Sequence, residues 1–128
     1  MTWEFAGEVS WLSVALSEVS VGQTLLELEH LAHVDDERWD RYGPGAVGVG
    51  WDMALMGLGQ HLATGASVDP NQAMAWLGSD AGRQFVSGSS EDWCRASVAS
   101  GTDAAKAKVS AARTTAIYTG QPEPPKED

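Results

Sequence analysis

Hydrophobic and polar positions alternate through Thr24-Leu25-Leu26-Glu27-Leu28-Glu29-His30-Leu31-Ala32. Leu26, Leu28, His30 and Ala32 fall on one face, and Leu25, Glu27, Glu29 and Leu31 on the other. A period of two with one apolar face predicts a strand that buries that face. Glu8 to Leu16, carrying Val9, Trp11 and Val14, predicts a second strand, with Ser17 to Gly22 as the hairpin loop between them. Thr2 to Ala6 predicts a short strand with Trp3 and Phe5 on one side and Gly7 as its turn. The simplest arrangement is a three-stranded antiparallel meander.

The period then becomes helical. Asp35 is placed to cap a short helix through Tyr42, with Asp36 and Glu37 in the first turn, where the helix dipole favours acids. Gly43-Pro44-Gly45 interrupts the pattern, and Pro44 suits the first position of the next helix. Val47, Trp51, Ala54, Leu55, Leu58 and Leu62 recur at spacings of three and four, which predicts one apolar seam on a long helix that covers the sheet. Glycines 48, 50, 57 and 59 lie within it. Each costs about 1 kcal/mol relative to alanine in a helix interior, so close backbone packing is expected there. Asp69-Pro70-Asn71-Gln72 is a helix start, with an acidic cap and proline at the first position, leading through Met74, Trp76 and Leu77. A weaker helical piece runs from Ala81 to Val86, and another opens at Ser89-Ser90-Glu91-Asp92. Gly101 breaks the pattern, Thr102-Asp103 restarts it, and Gly120 is a C-cap. The proline- and charge-rich tail, residues 121–128, is expected to be disordered.

Composition narrows the function classes. The chain of 128 residues is 43% hydrophobic and 20% charged, and 18 acids against 8 bases give a net charge of −10. Such a balance argues against nucleic acid or an anionic membrane as partner. A single cysteine, Cys94, excludes an internal disulfide. The start, Met1-Thr2-Trp3-Glu4-Phe5, lacks the basic and apolar regions of a signal peptide. The most apolar stretch, Pro44 to Leu62, contains Asp52 and six glycines or prolines, and falls short of the about 20 apolar residues of a membrane span. A soluble cytoplasmic domain is expected.

Gly43-Pro44-Gly45-Ala46-Val47-Gly48 is a literal G-x-G-x-x-G, with Asp69 further on. Dinucleotide binding needs that turn between a strand and a helix of a βαβ unit. Helical residues precede it here, so a helix–helix junction is expected and no cofactor. His30 and His33 lie near Asp35 and Asp36, but strand positions 30 and 33 face opposite ways, so no metal site is expected. His30 shares its face with Leu26 and Leu28, as a satisfied core histidine or as one that contacts a ligand. Glu91 and Asp92 beside Cys94 disfavour a thiolate, and no serine lies in a nucleophile motif. Six tryptophans, at 3, 11, 39, 51, 76 and 93, suit either a core or the wall of an apolar ligand cavity.

The stretch Thr24 to Val34, then Trp39 and the segment 43–62, resembles the SRPBCC or START-like superfamily. The branch is the one related to activators of the heat-shock-protein-90 ATPase, in its actinobacterial form. Trp76 to Arg83, Ser89 to Trp93 and Tyr118-Thr119-Gly120 are similar to the helical extension of that branch. The resemblance implies an α+β fold, a partial helix-grip in which an antiparallel meander packs on a long helix, followed by a C-terminal helical extension. The implied divisions are 1–64 for the second half of the grip domain, 65–120 for the extension and 121–128 for the tail. The family domain has a strand, two short helices and further strands ahead of the segment matched by Thr2 to Phe5. A truncated product, a homodimer through the leading strand edge at Trp3 and Phe5, or closure by the extension would each account for their absence. The implied function is binding of a small hydrophobic ligand, lined by Leu26, Leu28 and His30 from the strand and Trp51, Leu55 and Leu58 from the helix. The alternative is a protein-interaction or chaperone-linked factor. No catalytic set carries over from the family's enzymes.

Overall fold

In the computed structural model, which describes residues 1–5 and 7–125, the alternating segments become strands β1 (Thr2–Phe5), β2 (Glu8–Ser20) and β3 (Gln23–Ala32). They form a three-stranded antiparallel sheet in the order β1-β2-β3. Five helices follow: α1 (Asp36–Tyr42), α2 (Gly45–Thr64), α3 (Pro70–Leu77), α4 (Asp80–Ala99) and α5 (Ala104–Thr119). The architecture is α+β. The chain divides into two compact units, Met1–Asp35 and Asp36–Asp128. The division falls at the end of the sheet, and α2 packs on α4 and α5 within the helical unit.

In the sheet unit, Leu12 lies opposite His30, Val14 opposite Leu28 and Leu16 opposite Leu26. Directly opposed residues share a face, so these six side chains form one apolar surface. Trp11, Ser13, Ala15 and Ser17 occupy the other face with Leu31, Glu29, Glu27 and Leu25. β2 is longer than its pattern predicts. Ser17 to Ser20 belong to the ladder, with an irregularity between Glu18 and Ser20, and the turn is reduced to Val21-Gly22. Gly22 has φ of 78°, a conformation open to glycine and costly for other residues.

The helical unit follows its start and stop signals closely. The Asp69 carboxylate accepts from the N–H groups of Asn71 and Gln72 ahead of α3. Asp103 caps α5 through Lys106 N–H, and Gly120 ends it in the left-handed conformation. Pro44 sits one position earlier than expected, at the cap of α2. The two pieces expected at Ala81 to Val86 and from Ser89 are a single 20-residue helix, α4, capped by Ser79. Its serines do not break it because three of them, Ser89, Ser90 and Ser97, are buried among neighbouring helices.

That packing depends on small residues. Val49 and Val86 are fully buried, but much of the remaining interior is Gly45, Gly48, Ala107, Ala116 and buried serines. A Cβ on Gly48 would lie 2.1 Å from Cε2 of Trp93, so the indole rests on the α2 backbone. A Cβ on Gly50 would lie 3.1 Å from the Tyr118 hydroxyl. Gly59 meets nothing within 4 Å, so close packing explains the first two helical glycines and not this one. The buried side of α2 is Gly45, Gly48 and Val49. The expected apolar seam lies elsewhere on the helix, with Val47, Leu55, Leu58 and Leu62 between 38% and 76% exposed.

These two glycines respond oppositely to the same change. Gly59→Ala raises stability by up to about 1 kcal/mol, the ordinary gain in a helix interior. Gly48→Ala lowers it by about 1–3 kcal/mol through overpacking against Trp93. Urea denaturation of the two variants checks both signs.

Candidate functional site

The apolar sheet face carries one polar cluster. Ser10 Oγ donates to the Trp3 carbonyl at 3.2 Å and lies 2.8 Å from Nε2 of His30. The imidazole and the hydroxyl thus share one hydrogen bond, whose donor follows the tautomer of His30. His30 is therefore a half-buried, hydrogen-bonded histidine flanked on its strand by half-buried Leu28 and Leu26. Leu12 opposite it is 4% exposed, whereas Val14 and Leu16 towards the hairpin tip are 53% and 67% exposed. His33 lies edge-on to Trp11, with ring centres 5.9 Å apart, and Trp11 belongs to the opposite face of the sheet.

The other three candidate residues belong to the helical unit. Trp51, Leu55 and Leu58 follow spacings of four and three along α2 and so share one stripe. Trp51 is half-buried, and the two leucines are exposed at 43% and 38%. The structure thus groups the six candidates as two sets of three, one in each unit.

Polar chemistry concentrates around the α1–α2 junction. The G-x-G-x-x-G sequence is that junction: it follows α1, not a strand, and Gly43 turns the chain with φ of 59°. The end of a helix leaves carbonyls without partners, and α5 supplies hydroxyls to the junction. Ser110 Oγ donates to Asp40 O at 3.3 Å, Thr114 Oγ1 to Tyr42 O at 3.2 Å and Tyr118 OH to Ala46 O at 2.8 Å. Positions 110, 114 and 118 recur every four residues, so one stripe of α5 makes all three bonds. Burial pushes the Tyr118 phenol above its ordinary value. On the other side, Asp52 of α2 accepts from Ser89 Oγ at 2.5 Å and from Trp93 Nε1 at 3.0 Å, tying α2 to α4.

The described part of the tail is also engaged. Glu123 accepts from Arg41 at 2.8 Å and from the Tyr42 hydroxyl at 2.9 Å. The hydrogen bonds from Arg41 and then Tyr42 hold its carboxyl below the ordinary value, and the bond to Glu123 raises the Arg41 guanidinium. The expectation of disorder over 121–128 is met by this anchored residue in its described portion, while 126–128 lie outside the described residues.

A cavity of about 350 Å³ opens between the α1–α2 junction, α4 and α5. Trp39, Trp93, Cys94 and Ser90 are among its lining residues. Ser90 is 1% exposed, and among the described residues its hydroxyl is the buried side-chain oxygen without a hydrogen-bond partner. Sequence reasoning placed Ser90 at a helix start. The available signal was the spacing of Ser90, Cys94 and Ser97, which continues through a stripe of small residues facing Ala107 and Ala111.

The described residues contain no group of three or more His, Cys, Asp or Glu arranged to hold a metal ion. No described helix is long and apolar enough to cross a membrane. Comparison with models of protein families, with curated proteins and with solved structures finds no match for the chain.

Asp52→Ala leaves the buried Ser89 hydroxyl and the Trp93 indole N–H without their acceptor. A loss of about 2–4 kcal/mol is expected, from two unsatisfied groups at the lower end of the usual penalty. Asp52→Asn retains an acceptor oxygen and loses less. Equilibrium unfolding of the two variants measures the difference.

Proposed function

We propose that the chain is a START-like binding module for a small hydrophobic ligand, of the helix-grip type its sequence resembles and acting in the cytoplasm. The observation that carries this reading is the sheet face on which Leu26 and Leu28 adjoin the hydrogen-bonded His30. An apolar surface with one oriented polar group is the usual composition of a small-molecule site: burial supplies affinity and the polar group fixes orientation. Nε2 of His30 is held by the Ser10 hydroxyl, and this hydrogen-bonded pair supplies the polar group that orients the ligand. The stripe of Trp51, Leu55 and Leu58 provides a further apolar surface for the same class of ligand.

A second reading, an interaction or chaperone-linked factor that acts as a homodimer, is favoured by the sheet edges. β3 is an edge strand, and on the other side β1 pairs with β2 only up to Leu12, which donates to Met1 O at 2.8 Å. Beyond it the hairpin carries Val14, Leu16, Val19 and Val21, each more than half exposed. Unpaired strand edges of this kind recruit further strands.

Thermal unfolding with laurate and 1-naphthol as probes separates the two. A bound ligand at a hundred times its Kd raises stability by about 2.7 kcal/mol through linkage, and Leu28→Asp abolishes that rise. A folded Leu28→Asp protein with the full ligand response contradicts the binding reading. Light scattering then decides the second: it requires twice the chain mass, reverting to one chain in Trp3→Glu.

A further inference from the structure

The cavity in the helical unit has a physical origin that bears on what it holds. α4 and α5 face each other through Ser90, Cys94, Ala107 and Ala111, whose side chains are too small to fill the space between two helix backbones. At about 350 Å³ the void is near the lower end of ligand pockets, which run from about 300 to 1,000 Å³. That volume suits a molecule of one or two rings.

Most of its polar groups are engaged within the protein. Ser110 donates to Asp40 O and Ser97 to Thr102 Oγ1, while Trp93 N–H is held by Asp52. The Lys106 ammonium is paired with Asp40 at 2.7 Å, and Asp103 is occupied in capping α5. The charges at the cavity are therefore matched or engaged within the protein. Among the described residues, Ser90 is left with a buried hydroxyl and no partner. Buried hydroxyls are normally satisfied, and one that is not carries a desolvation penalty that a ligand acceptor removes. Ser90 also stands in the wall shared with a second, more open cavity of about 540 Å³, beside Cys94 and Ala111. Its hydroxyl oxygen is closed off in the observed setting, so an acceptor in the first cavity must draw it round its single side-chain torsion, which has three staggered settings.

We propose that the cavity between the α1–α2 junction, α4 and α5 is a binding site for a small uncharged aromatic molecule whose carbonyl oxygen accepts the hydrogen bond of Ser90. Trp39 and Trp93 supply aromatic walls for the ring. Lys106 is paired with Asp40 and Asp103 is committed to the α5 cap, so neither is a free counter-ion for a charged ligand. This site is separate from the sheet face and stands whether or not that face binds a ligand.

Cys94 lines the cavity and is the chain's only thiol, so its alkylation by iodoacetamide reports occupancy. Acetophenone and benzamide are the probes, with benzoate and benzylamine as charged counterparts. At saturation either neutral probe slows Cys94 alkylation at least fivefold and shifts the backbone amide resonances of Ser90, Cys94 and Ala107. Ser90→Ala raises the half-protecting concentration about fivefold, the usual value of one neutral hydrogen bond. Ala107→Leu, which fills this cavity, removes protection, whereas Ala112→Leu, in the wall of the second cavity alone, retains it. The proposal is overturned if neither neutral probe protects Cys94 or shifts those resonances in the folded wild-type chain. Equal protection in Ser90→Ala, or equal protection by the charged counterparts, overturns it as well.

Discussion

The helical unit depends on one close approach: the Trp93 indole occupies the space that any side chain at position 48 would need. Absence of a Cβ at Gly48 lets the ring of α4 lie on the backbone of α2, and Asp52 one turn further holds the indole N–H at 3.0 Å. The same carboxylate takes the Ser89 hydroxyl, so a single side chain fixes both the ring and the α4 helix that carries it. A larger residue at 48 would separate the helices and strip both donors of their acceptor. Glycine is unfavourable in a helix interior, and here that cost is offset by contact.

α2 begins at the Gly43-Pro44-Gly45 turn, and the carbonyls of Asp40, Tyr42 and Ala46 on either side of it accept hydrogen bonds. α5 provides them through the hydroxyls of Ser110, Thr114 and Tyr118. Ser110, the shortest of the three, also lines the cavity beside Trp93 and leaves volume there unfilled. Protein interiors otherwise pack to crystal-like density, so a void bordered by an unsatisfied hydroxyl marks a place where the sequence does not maximise stability.

Much of this was legible before any coordinates. Alternation from Thr24 to Ala32 gave the correct strand and the correct shared face for Leu26, Leu28 and His30. The cap at Asp69, the break at Gly101 and the stop at Gly120 are local signals with local causes, and all three stand where expected. The glycine motif was expected to join two helices, and it does so between α1 and α2. What failed depended on tertiary context. Ser89 and Ser90 suggest a helix start by propensity, yet their burial among neighbouring helices keeps α4 continuous. Apolar spacing along α2 identified a true stripe, but the side packed within the unit is the glycine side, which hydrophobicity does not reveal. Glu123 found its partners in α1, 81 and 82 residues away in sequence, a pairing no local pattern encodes.

On the sheet, the proposed ligand face differs from a plain hydrophobic one by one polar contact. The His30–Ser10–Trp3 chain of hydrogen bonds fixes an imidazole beside two half-buried leucines, leaving apolar area and polar direction side by side. The most direct measurement is a residue-resolved NMR titration of the 128-residue chain with laurate. Saturable shifts centred on Leu26, Leu28 and His30, together with a change in the His30 ring resonances, are the expected result. Shifts confined to other residues, or none at all in a folded chain, would contradict the assignment of that face as a ligand site.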